Sequence, residues 1–403
     1  MRTEVHKHAG EPWHVLEHSW KFAILEADRV TKGLQALVGN ANLQMIFYLS
    51  SDISVGSLRI LLAIRRYHSP DRPHSFNFTL QAAIAEVRFG LYLKAILDGS
   101  RIAKRRACLR LCSWAKKKHG TQMPTLTAGL PCLLKPEHAK EAIAALRYPD
   151  CLERMQGEVR IPATLALCFG IEGVQYLQFF LDNSSGLDDK RRALRALGLI
   201  GGPASVAALC EQLQNPSLCD EALRMLMRLS MSAGTQELSP TLTYGLPCQL
   251  PEPTTHVPAA LESQQASLTK TQAYVLNKVA FLFGVEAIRN FDRFIRRSES
   301  LLPQKRGLRA LGVIGGQGTV EQLCGLAWWG DTALCEEALR IIARLSSVPE
   351  GAVEISGENP GQAIENVVRI VLNNLEELKR QNRANPRLIK RVEKKLLAYH
   401  KPI

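Results

Sequence analysis

Arg192-Ala-Leu-Arg-Ala-Leu-Gly-Leu-Ile-Gly-Gly202 decides how this chain is read, because Arg306-Gly-Leu-Arg-Ala-Leu-Gly-Val-Ile-Gly-Gly316 repeats it almost letter for letter. In each copy a short apolar segment ends on a glycine pair. A second segment follows, through Val206, Leu209 and Cys210 in one copy and Val320, Leu323 and Cys324 in the other. A third opens at Leu218-Cys219-Asp-Glu-Ala-Leu-Arg224 and at Leu334-Cys335-Glu-Glu-Ala-Leu-Arg340. Leu194, Leu197, Val206 and Leu209 give these segments an inward stripe, while Arg192, Arg195, Glu211 and Gln212 stay polar, which is the pattern of amphipathic helices. The glycine pairs at 201–202 and 315–316 admit the positive backbone angles of a helix end followed by a tight turn.

Outward from this core the landmarks keep their order. Gly120-Thr-Gln122 answers Gly234-Thr-Gln236, and Pro124-Thr-Leu-Thr-Ala-Gly-Leu-Pro-Cys132 answers Pro240-Thr-Leu-Thr-Tyr-Gly-Leu-Pro-Cys248. Leu167-Cys-Phe-Gly-Ile-Glu172 answers Phe281-Leu-Phe-Gly-Val-Glu286. A tandem duplication with a period of 114 to 116 residues accounts for all of these matches. Gly170 to Gly198 and Gly284 to Gly312 are both 28 residues apart, which suits two helices and two turns. Such a hairpin cannot bury its apolar face alone, so neighbours must stack. The expected fold class is all-α, an α-solenoid of helical hairpins. The proline-bearing stretches 124–132 and 240–248 read as ordered loops that pack the same way twice.

Five regions follow. Residues 1–75 form a leader, 76–119 a diverged first repeat that sets Phe89-Gly90 against Phe169-Gly170, 120–233 and 234–347 the two full copies, and 348–403 a helical cap. His14 and His18 in the leader are one helical turn apart, a spacing used by metal sites, with His6, His8, Trp13 and Trp20 nearby. A helix burying its tryptophans explains the cluster as well, and no metal or cofactor is expected. Residues 135–150 read as helical and 252–268 as a looser excursion.

The net charge of +13 points to an acidic partner. No stretch reads as the roughly 18 apolar residues that a membrane span needs, and residues 1–8 have no secretory apolar core. No transmembrane segment and a cytoplasmic location are the expectations. Six of the ten cysteines fall in repeat-matched pairs, Cys132 with Cys248, Cys210 with Cys324 and Cys219 with Cys335, as buried thiols in a duplicated core would. Cys108 and Cys112 could share a helix face, but they lack matching histidines and read as core residues rather than zinc ligands.

The repeated text resembles the HEAT-like repeats named after phycobilisome lyases, closely at 192–230 and 306–346 and less so at 161–190 and 275–303. Leu97-Asp-Gly-Ser-Arg-Ile-Ala103 is also similar to a proteobacterial HEAT-like family often linked to secretion gene clusters. Such repeats usually carry an acidic residue after the first turn glycine, where this chain has Gly202 and Gly316. The resemblance implies a right-handed stack of hairpins with a concave inner surface. It further implies a non-enzymatic scaffold or adaptor for a protein partner, accessory to a bacterial secretion system. The alternative it raises is a nucleic-acid binder like the HEAT-like alkylpurine DNA glycosylases.

No nucleophile elbow, phosphate loop, dinucleotide fingerprint or zinc signature is present, so no catalytic residue is assigned and no enzyme is expected. Binding residues are sought instead where the copies differ, because a duplicated core repeats its residues and a binding site need occur only once. Trp328 and Trp329 replace Gln214 and Asn215, and two adjacent tryptophans cannot both face one side of a helix. Arg289, Arg293, Arg296 and Arg297 form a basic face where the first copy has Gln175, Gln178 and Leu181. Lys116-Lys-Lys118 and the basic tail residues Lys390, Arg391, Lys394 and Lys395 complete the set of candidates for an acidic partner. The tail has two readings, the solvated outer side of an array cap and a binding helix for an acidic surface.

Overall fold

The computed structural model describes residues 43–67, 73–231, 240–250, 261, 271–347 and 360–399. Among them the chain is all-α, and its only sheet-like pairings are two isolated antiparallel bridges, Gly129 with Gly201 and Gly245 with Gly315. The histidine and tryptophan cluster of the leader, Gly234-Thr-Gln236, nearly all of 252–268 and the break at 348–359 lie outside the described residues. Two compact units are distinguished: the residues up to Gln122 with Leu130–Leu199, and Met123–Gly129 with the residues from Ile200 onward.

The first unit contains α1 (Leu43–Ser51), α2 (Val55–Tyr67), α3 (His74–Asp98), α4 (Arg101–His119), α5 (Pro136–Leu146), α6 (Pro149–Met155), α7 (Ile161–Phe169), α8 (Val174–Asn183) and α9 (Leu187–Ile200) up to Leu199. Ile46 and Leu49 of α1, Leu61 and Ile64 of α2, and Leu80, Ile84 and Val87 of α3 close into one apolar cluster. Residues 43–67, read with the leader, therefore share the core of α3. Gly90 sits inside α3, where a Cβ would lie 2.6 Å from the Ile53 side chain. It makes close helix packing rather than a turn, unlike Gly170, whose φ of +50° opens the 3-10 turn Gly170–Gly173 between α7 and α8.

That turn also bears on the membrane question. Ile161–Asn183 is the one described stretch whose length and hydropathy would let it cross a membrane, and 72% of the tested window is buried inside the protein. The positive-φ glycine divides it, and Leu165, Phe169, Tyr176, Leu177 and Phe180 fill the unit's own core.

The second unit contains α10 (Gly202–Glu211), α11 (Cys219–Met231), α12 (Thr271–Phe283), α13 (Ile288–Arg297), α14 (Leu301–Ile314), α15 (Gly316–Trp329), α16 (Thr332–Leu345), α17 (Pro360–Arg380) and α18 (Pro386–Tyr399). The duplicated text folds in duplicate. Gly201 and Gly202 have φ of +68° and +77°, and Gly315 and Gly316 have +69° and +80°. In the loop before them the Thr125 amide donates to the Ala128 carbonyl and the Gly202 amide to the Thr125 carbonyl. Thr241, Tyr244 and Gly316 make the same two bonds. The Thr125 and Thr241 hydroxyls each accept from the amide three residues on, both at 2.9 Å. Two proline-rich loops read as ordered are thus the same hydrogen-bonded turn made twice.

Helix α14 packs on α12, α13 and α16. Gly312 permits the approach to α16, because a Cβ there would meet the Ile341 and Arg344 side chains at 2.6 Å. Helix α16 starts at Asp331, whose carboxylate accepts from the Leu334 amide at 2.8 Å and satisfies a donor that the helix itself leaves open. The last two helices pack on the elements before them: α17 on α15, and α18 on α16 as α12 packs on α11. Helix α18 does so with Ile389, Val392 and Leu396.

All ten cysteines are free. Cys210 and Cys324, and Cys219 and Cys335, are buried, while Cys132 and Cys248 are half-buried. Burial pushes the Cys108 thiol up to about 11 and those of Cys210 and Cys324 up to about 12. At neutral pH these groups are protonated as well as inaccessible, and the thiolate is the reactive form. Iodoacetamide at pH 8 is therefore expected to spare Cys108, Cys168, Cys210 and Cys324 until denaturant is added. Peptide mass spectrometry checks this, and rapid native labelling of Cys324 would contradict the packing described.

Candidate functional site

Helix α13 has the sequence Ile288-Arg-Asn-Phe-Asp-Arg-Phe-Ile-Arg-Arg297, with Phe291, Phe294 and Ile295 buried. Those three fix its rotation. Arg289, Arg293, Arg296 and Arg297 are consequently exposed together, at the spacing that places residues on one helical face. Arg296 is held by the Asp292 carboxylate at 2.9 Å. Arg289, Arg293 and Arg297 have no ion-pair partner among the described residues.

The tryptophans stand at the end of α15. Trp329 is 75% exposed and Trp328 half-buried, so the pair divides between surface and packing as adjacency requires. The turn between α17 and α18, which carries the left-handed Asn382 (φ +51°), places Arg383 against this end. Its two terminal nitrogens donate to the Trp328 and Gly330 carbonyls, closing acceptors left open where a helix stops. No hydrogen bond, ion pair or ring contact among the described residues joins the tryptophans to the α13 arginines.

The tail residues divide. Lys390, Arg391 and Lys394 are exposed on α18. Lys395 is half-buried and committed: its ammonium donates to the Ala343 carbonyl at 2.8 Å and to the Ser347 hydroxyl, capping α16. Lys116, Lys117 and Lys118 are exposed in the last turn of α4, where cations offset the negative end of a helix.

Helices α16 and α18 also border a half-open cavity of about 310 Å³ lined by Arg340, Arg344, Ser347, Arg391 and Lys395, with Ala343 and Leu388. Arg391 and Lys395 were legible as candidates. Arg340 and Arg344 were not, because each has an arginine at the matched place in the first copy, Arg224 and Arg228, and so reads as duplicated framework. Arg340 pairs with Glu336 at 2.7 Å and Glu337 at 3.4 Å. Glu337 also accepts from Arg309 at 2.7 Å, and that bond holds its carboxyl below the usual carboxylate range.

Among the described residues no group of three histidine, cysteine or acidic side chains is placed to hold a metal ion. Cys112 and Thr164 are 3.1 Å apart, so the Cys108–Cys112 helix face meets a hydroxyl. The chain matches no protein-family model, no curated protein and no solved structure.

Proposed function

We propose that this protein is a non-enzymatic scaffold of HEAT-like helical hairpins, continuous as an α-solenoid, that works in the cytoplasm and docks an acidic segment of a protein partner. The observation that carries this reading is the α13 face. Three exposed guanidiniums without counter-charges among the described residues stand on a helix whose other side is anchored by Phe291, Phe294 and Ile295. An arginine that no internal carboxylate occupies is available for bidentate pairing with an incoming one. Trp329 adds an exposed aromatic surface of the kind enriched at interaction hot spots. Use of the solenoid's concave side and a role beside a bacterial secretion system belong to the same proposal and follow from the sequence resemblance.

The test is a triple charge reversal, R289E/R293E/R297E, which leaves the Arg296–Asp292 pair and the buried side of α13 intact. Partners are recovered from the native cell with the wild-type chain, identified, and titrated back against both proteins. We expect the variant to keep its helical circular dichroism and to bind the acidic partner at least about tenfold more weakly, since reversed charge at such a surface both slows encounter and repels. Equal affinity would remove α13 from the interface. Preferential recovery of DNA or RNA, with affinity falling steeply as salt rises, would replace the scaffold reading with the nucleic-acid one.

A further inference from the structure

Helix α4 reads Arg101-Ile-Ala-Lys-Arg-Arg-Ala-Cys-Leu-Arg-Leu-Cys-Ser-Trp-Ala-Lys-Lys-Lys-His119, with eight lysines and arginines and no carboxylate in 19 residues. Other helices neutralise their cations from within: Asp189 pairs with Arg192 in α9, Asp220 with Arg224 in α11, Asp292 with Arg296 in α13 and Glu336 with Arg340 in α16. Helix α4 has no acid to do this with. Lys104 turns inward and donates to the Arg154 carbonyl at 2.8 Å. Arg101, Arg105, Arg110, Lys116 and Lys117 are exposed and have no ion-pair partner among the described residues.

The stability of the helix does not explain them all. Its negative end accounts for Lys116 and Lys117. It does not account for Arg101 and Arg105, which stand in the first turns, where the helix end is itself positive. Arg101 and Arg105 also repel each other one turn apart, as do Arg106 and Arg110. An anionic surface laid against the helix relieves that repulsion.

The outer face of α4 says what kind of anion suits it. Ala103, Ala107, Cys108, Leu111 and Ala115 bury one side of the helix and so define the other. At about 3.6 residues per turn, Ile102 and Leu109 fall along the middle of the outer side, two turns apart. Arg105 and Lys116 flank them on one edge, Arg110 and Lys117 on the other. Ile102 is 59% exposed and Leu109 47%. Aliphatic side chains between two rows of cations match the interface of an anionic bilayer, which takes up the apolar groups while long basic side chains reach lipid phosphates. A nucleic acid would use the cations equally but gain nothing from Ile102 and Leu109, since its bases stack on aromatic rings. The tryptophan of α4, Trp114, is half-buried beside Phe89 with ring centres 6.2 Å apart.

We propose that the outer face of α4 docks on an anionic phospholipid bilayer, with Ile102 and Leu109 entering the headgroup region and the flanking cations pairing with lipid phosphates. This inference is independent of the α13 docking reading, because α4 belongs to the first unit and the two faces share no residue.

The experiment is flotation of the full chain with phosphatidylcholine vesicles, with and without phosphatidylglycerol, at low and high salt. The chain is expected to float with the phosphatidylglycerol vesicles alone, and less so as salt screens the contact. R105Q/R110Q/K116Q/K117Q should weaken binding about tenfold or more, from the loss of four cations at the surface. I102S/L109S, which keeps every charge, should weaken it about fivefold or more through lost apolar insertion. Both variants change exposed positions and should keep the wild-type circular dichroism. The α13 triple reversal should float as the wild type does. No flotation of the wild type, or wild-type binding by either α4 variant, would overturn the proposal. Equal weakening by the α13 reversal would also overturn it, by reducing the effect to general charge. Tighter binding to an oligonucleotide than to the vesicles, lost in the quadruple variant and untouched in I102S/L109S, would overturn it in favour of a nucleic-acid face.

Discussion

Gly284→Ala is expected to destabilise the second unit by about 3 kcal/mol or more, from left-handed backbone in a residue with a side chain added to overpacking. Gly284 has φ of +50°, and a Cβ on it would lie 2.0 Å from the Leu246 carbonyl oxygen and 2.7 Å from Pro247 atoms. The obstacle is backbone, and that backbone is itself held. The Val285 amide donates to the Leu246 carbonyl at 3.0 Å, and the Leu246 amide donates to the Ile314 carbonyl at 2.8 Å. Relief by movement would break the loop that fastens one hairpin to the next. Gly325→Ala is the control: it lies inside α15 with nothing within 4 Å of an added Cβ. That change should stabilise by about 0.5–1 kcal/mol through helix propensity. Urea unfolding followed by circular dichroism reads both, and equal midpoints for the two variants would disprove the account of the loop.

The same loop marks how far the sequence alone could be read. Paired helices, glycine turns and ordered proline loops were legible because each repeats, and repetition separates a packing requirement from chance. Phe89-Gly90 misled for the same reason in reverse. The dipeptide matches Phe169-Gly170 in letters, yet Gly90 serves contact with Ile53 inside α3 and needs no special backbone angle. A glycine required for φ and a glycine required for space look identical in one sequence. Among candidate residues, the α13 arginines were legible from helical spacing, since Phe291, Phe294 and Ile295 define the opposite face. The committed roles of Lys395 and Arg383 were not. Both cap helices more than fifty positions away, Lys395 at Ala343 and Arg383 at Trp328, and nothing in local pattern reports a carbonyl at that distance. The cavity was hidden likewise, because half of its cations have counterparts in the first copy and gain their meaning only from where α18 lands.

Asp220→Ala is expected to cost about 3–5 kcal/mol, the range for leaving one member of a buried ion pair without its partner. Lys278 is 2% exposed, and its ammonium reaches the Asp220 carboxylate at 2.6 Å across the α11–α12 contact. The ammonium also lies 4.1 Å from the Tyr274 ring centre, an attraction too small to replace a carboxylate. The two partners are unequal. Asp220 is 37% exposed and also pairs with Arg224 at 2.8 Å, so Lys278→Met leaves a carboxylate that still has water and a cation. That variant should lose about 1 kcal/mol or less, because the long apolar side chain fills the same space and no charge is stranded. The double variant D220A/K278M should recover most of the loss, which makes the cycle strongly non-additive. Additive losses would mean that Lys278 reaches solvent by another route, and that the α11–α12 contact is looser than its packing implies.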